Sequence, residues 1–149
     1  MKKHFFWLVL LLVLPLNLFA FDCPEIADVK EVFWEGYYQV SGESAPGQPP
    51  YLAKIAARIM AQNRLLEILK GLQIDQKTVI TNGAVESSVI EAKLEGLVKN
   101  VVIQQESYDA ETQTAHACVR LYLSDESDGI ERVVYESVKN SVDPKDGEP

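Results

Sequence analysis

With 149 residues, 22 of them acidic against 14 basic, the chain has a formal net charge of −8, and its 47% hydrophobic content suits one domain with a core of its own. So acidic a chain repels phosphate backbones and anionic headgroups, and no basic patch interleaved with aromatics offsets this. Nucleic acid is therefore excluded as a partner, and any membrane association is indirect.

In chain order, Lys2, Lys3 and His4 make a basic head, Phe5 to Leu14 are ten consecutive apolar residues, and Pro15 precedes Leu18-Phe19-Ala20. This is the layout of a secretory signal peptide over residues 1–20, with cleavage after Ala20 and delivery to the periplasm. A membrane anchor fits less well, because the run is shorter than the roughly 20 residues that span a bilayer and Pro15 interrupts its end. Phe21 and Asp22 separate Cys23 from Ala20, which argues against a lipid on that cysteine. Without the leader, 129 residues remain with 12 basic against 22 acidic side chains, a net charge of −10. Cys23 and Cys118 would then share an oxidising compartment, where a disulfide between N-terminal arm and late strand is allowed; geometry decides whether it forms.

Residues 21–48 read as an arm and first strand. Asp22 to Trp34 are a short helical or irregular arm, with Ile26, Val29, Val32 and Phe33 available for burial. Phe33 to Val40, aromatic and β-prone, are expected to be the strand, and Ser41 to Pro50 collect Gly, Pro and Ser into a connection. The best-marked element runs from Pro49 to Gly71. Two prolines suit its first turn, and Gly71 suits a left-handed position past its end. Leu52, Ile55, Ala56, Ile59, Leu66 and Leu69 form one apolar stripe, and Ala57, Ala61, Leu65 and Ile68 a second, so the helix is expected to be enclosed on nearly all sides.

Leu72 to Thr81 are extended in character, Asn82-Gly83 mark a turn or helix entry, and Ala84 to Lys99 predict a second helix. Val101 to Tyr108 and Ala115 to Leu123 flank the polar connection 109–114 as a β-hairpin. In the later strand Ala115, Ala117, Val119, Leu121 and Leu123 share the face expected to lie on the long helix, and His116, Cys118, Arg120 and Tyr122 share the other. Residues 125–149 form an acidic C-terminal segment, with one short helix over Ile130 to Val138 and a tail expected to be disordered. The fold class is α+β: a small antiparallel sheet of three to four strands with two helices on one face, in the order β-α-(β)-α-β-β, its core within residues 49–124.

Ala56-Ala57-Arg58, Ala61, Arg64-Leu65-Leu66-Glu67-Ile68 and Gly71-Leu72-Gln73-Ile74 resemble the helix-to-strand pattern of the LPP-twenty lipoprotein family, which includes FlgP-like flagellar proteins and is similar to the N-terminal domain of FlgT. Leu94-Glu95-Gly96-Leu97-Val98-Lys99-Asn100-Val101 and Ala117-Cys118-Val119-Arg120-Leu121-Tyr122-Leu123 resemble its second signature. The resemblance covers about residues 50–123. It implies a small α+β domain in the periplasm or at the outer membrane, where some relatives are structural parts around the flagellar motor. The chain departs from the lipoprotein members in having no cysteine at the lipidation position.

Signals for chemistry are few. His116 and Cys118 lie on one strand face, but a catalytic dyad needs a third, orienting group and a structural metal site usually four ligands, so neither a catalytic set nor a metal or cofactor site is assigned. Asp125, Glu126 and Asp128 read as a solvated charge run. The expected activity is therefore non-enzymatic: contacts with envelope proteins or self-association. Trp34, Tyr37 and Tyr38 are the candidate contact residues, with Tyr108 and Tyr122 as neighbours. The alternative is a periplasmic module binding a small ligand or wall fragment through Phe33, Trp34, Tyr37 and Tyr38.

Overall fold

The computed structural model describes residues 21–72, 87–126 and 129–143. The leader, the extended segment from Gln73, the Asn82-Gly83 turn, the first residues of the second predicted helix and the tail from residue 144 lie outside the described residues.

Helix α1 spans Val29–Glu35. The Asp28 carboxylate accepts from the backbone N–H groups of Lys30 and Glu31, and Gly36 closes the helix in the left-handed region at φ 76°, its N–H donating to Val32 O. Phe33 and Trp34 therefore belong to a helix, which corrects the strand expected from Phe33. Strand β1 begins only at Tyr37 and runs through Glu43, into what reads in sequence as a connection.

Helix α2, Pro50–Lys70, starts after an extended Pro49 and has proline in its first turn. Gly71 is right-handed at φ −73°, not left-handed as expected, because the chain continues its helical turn there, with Gly71 N–H on Glu67 O and Leu72 N–H on Leu69 O. Helix α3 covers Ser87–Lys99, and the hairpin is formed by β2, Val102–Asp109, and β3, Thr114–Tyr122. Asp109 shapes its tip by accepting from Glu111 N–H and the Thr112 hydroxyl at 2.8 and 3.0 Å. Helix α4, Ile130–Val142, runs beyond the short helix expected there, and its Val134 and Val138 are in the main core.

The protein is of the α+β class, with a three-stranded antiparallel sheet in the order β1-β3-β2. Helix α2 lies along β1 and β3; α3 packs on α2 and α4, and α4 on α1. The α2-facing side of β3 carries Ala115, Ala117, Val119 and Leu121, all buried, as its alternation predicts.

The side chains that α2 buries are Ala53, Ala57, Ala61, Leu65 and Leu69, a row of spacing four. The row changes size along the helix. At its alanine end it meets Ala115, Ala117 and the backbone of Gly42, where an added Cβ would stand 2.2 Å from Ala61 N and 2.4 Å from Ala57 O. At its leucine end it enters the larger cluster with Ile90, Leu94, Leu97, Val98, Val134 and Val138. Helix and sheet are thus nearly in backbone contact at one end and separated by large side chains at the other, which makes room for α3 and α4.

Candidate interaction surface

The N-terminal arm covers part of the sheet face opposite α2. Cys23 is bonded to Cys118 across a separation of 95 residues, with Cα atoms 5.7 Å apart. Gln39, 3% exposed, donates its Nε2 to Pro24 O at 2.7 Å, while its Oε1 accepts from Arg120 Nε at 2.9 Å and Nη2 at 2.6 Å. The arm then turns around the outer edge of β1. There Ile26 and Gln39 exchange both backbone hydrogen bonds at 2.9 Å, and Glu25 reaches Arg64 of α2. The disulfide commits the Cys118 sulfur, so His116 has no thiol beside it; its ring lies 5.3 Å from that of Phe21.

The candidate contact residues separate into three environments. Trp34 is 80% exposed on α1, its ring edge-on to Phe33. Tyr37 is half-buried on the outer sheet face, paired in register with Tyr122, with the Arg120 guanidinium 4.0 Å from its ring centroid. Tyr38 is fully buried among the inward-facing core residues, which corrects its assignment as a contact residue. On alternate sides of a strand, Tyr37 and Tyr38 have opposite fates, and only packing decides which is buried. Tyr108 packs on the alanine cluster and donates its hydroxyl to Gln48 O at 2.9 Å, so it too is tied into the fold.

The structure also corrects the long helix. Leu52 and Ile59, placed in its main apolar stripe, are 54% and 48% exposed, with Ile55 half-buried between them. Tyr51 and Met60 flank them and are exposed as well. At 100° per residue, Leu52, Ile55 and Ile59 point away from Ala57, so they form an outward row opposite the alanines. The alanine stripe meets the sheet because a helix approaches a flat sheet most closely through small side chains, and that leaves the larger residues outside.

Both sheet edges are protected. The β1 edge is closed at Gln39 by Ile26, and the β2 edge has a register shift between Ile103 and Gln105, an irregularity that spoils a template for a further strand. Carboxylates anchor three cations of α2: Arg58 forms a two-point pair with Glu106 of β2, Arg64 meets Glu25, and Lys70 meets Glu91 at 2.5 Å. The Arg58 hydrogen bond is the main reason that the Glu106 carboxyl titrates below its ordinary range. Among the described residues, no group of three or more His, Cys, Asp and Glu side chains is placed to hold a metal ion, and no helix is long and apolar enough to cross a membrane.

No family model, curated protein or solved structure matches this chain.

Proposed function

We propose that this protein is an exported, non-enzymatic component of the cell envelope that works through protein contacts, by self-association or with other envelope proteins. The carrying observation is the outward row of α2, where Leu52, Ile55 and Ile59, with Tyr51 and Met60 beside them, present apolar surface on a rigid helix of 21 residues. A helix with apolar anchors at spacings of three and four is a common way of engaging a second protein surface. The leader-like layout of residues 1–20 supports export. So does the Cys23–Cys118 disulfide, a bond that persists in oxidising compartments such as the periplasm. The LPP-twenty resemblance adds the flagellar or outer-membrane apparatus as the setting.

Light scattering and sedimentation of the oxidised chain over a range of concentrations test this reading. The expected result is concentration-dependent assembly that Ile59→Glu abolishes, while at a dilution where both chains are monomers the melting temperature stays within a few degrees, since the replaced side chain lies outside the core. A strict monomer at all concentrations, with tryptophan fluorescence quenched saturably by a wall fragment, would instead favour the ligand-binding alternative around Trp34 and Tyr37.

A further inference from the structure

We propose that Arg120, Tyr37 and Tyr122 form a receptor for a carboxylate presented by a polypeptide partner, on the sheet face opposite α2. This site is independent of the α2 row.

The first reason is charge. Among the described residues the Arg120 guanidinium is hydrogen-bonded into the fold yet held by neutral groups alone, so its charge meets no carboxylate, unlike that of Arg58 or Arg64. Its Nε and Nη2 donate to Gln39 Oε1, and its Nη1 donates to Tyr122 Oη at 3.1 Å. A guanidinium has five N–H groups, so one on each terminal nitrogen has no acceptor among the described residues. A carboxylate taken end-on uses such a pair, and the Tyr122 hydroxyl, whose oxygen accepts from Arg120, keeps its own proton to donate as a third contact.

The second reason is preorganisation. Gln39 is itself fixed, its side chain buried beneath the arm with its amide nitrogen on Pro24 O, so it orients the guanidinium before any ligand arrives. The rings of Tyr37 and Tyr122 lie 4.0 and 5.6 Å from the Arg120 carbon and limit its motion further. Little side-chain entropy remains to be lost on binding.

The third reason concerns the kind of ligand. Tyr122 and Val102, the latter paired with Arg120 across the sheet, are 52% and 47% exposed on this face. They are raised side chains on a sheet surface, unlike the enclosing walls of a small-molecule site, which typically bury about 70–90% of their ligand. Such a face suits a glutamate or aspartate whose neighbouring apolar side chain rests on Tyr122 and Val102.

Solution NMR of the oxidised chain tests the site through the Arg120 Nε–H signal and the ring signals of Tyr37 and Tyr122. The probes are the blocked peptide acetyl-Ala-Phe-Glu-Leu-Ala-amide, its glutamine counterpart and 3-phenylpropionate. The glutamate peptide should shift these signals saturably, the glutamine peptide should bind about tenfold more weakly, and Arg120→Gln should weaken the glutamate peptide about as much. Tyr122→Ala, a change at an exposed position that leaves the core intact, should weaken it too. Ile59→Glu should leave it unchanged, which separates this site from the α2 surface. Equal shifts by the two peptides, or none from either at about 10 mM, would overturn the proposal. Tighter binding of 3-phenylpropionate than of the glutamate peptide would overturn the commitment to a polypeptide.

Discussion

Tyr38 and Gly42 lie on the same face of β1 and make opposite demands on the core. Tyr38 fills space, yet its buried hydroxyl has no hydrogen-bond partner among the described residues. An orphaned buried hydroxyl costs about 1–3 kcal/mol, so Tyr38→Phe should leave stability at pH 7 unchanged or raise it by about 1 kcal/mol in urea unfolding. Burial, with Asp28 adding to it, pushes this hydroxyl from its ordinary 10.0 up to about 12. The folded state therefore keeps a proton that the unfolded chain releases. The associated stability is complete below pH 10 and declines as pH rises towards 12, a slope that Tyr38→Phe should reduce. Gly42 demands emptiness: a Cβ there would collide with the α2 backbone, so Gly42→Ala should cost about 3 kcal/mol or more, read as a lower urea midpoint at unchanged slope.

Among the elements, the Arg58–Glu106 pair ties the edge strand β2 to α2. With the Glu106 carboxyl held below its ordinary range, its contribution is present above the ordinary carboxylate pKa of about 4.3 and is lost as pH falls through the lower folded value. Both side chains keep some solvent contact, so the effect is modest. Glu106→Gln should lower the melting temperature at pH 7, and the difference from the parent chain should shrink as pH falls below about 4. The elements also show where sequence signals conflict. The aromatic run through Phe33 and Trp34 reads as a strand, yet in the structure Asp28 and Gly36 cap the two ends of α1. The caps prevail because they satisfy backbone groups at both helix ends, whereas aromatic β-propensity reflects packing more than backbone preference.

Across the whole molecule, the disulfide and the Gln39 network hold the arm on the second sheet face, joining the start of the described chain to its central strand. A cross-link closing so long a loop restricts the unfolded chain strongly. Replacing both Cys23 and Cys118 with serine should cost roughly 2–5 kcal/mol in urea unfolding. An unchanged midpoint would show that the arm adds nothing to the stability of the fold.

The sequence by itself determined the α+β class, the bounds of the long helix, the hairpin and the inward face of β3, because periodicity and turn chemistry are local properties of the chain. It also presented two apolar stripes on α2, and put the larger residues first, since nothing local says which stripe meets the sheet. Tertiary structure alone decided that the alanine stripe faces the sheet, that Leu52 and Ile59 face solvent, that Tyr38 is core while Tyr37 is not, and that Cys23 meets Cys118. Each of these depends on how closely two elements distant in sequence approach, and that distance is set by small residues such as Gly42, Ala57 and Ala61, whose lack of bulk acts only once both surfaces are in place.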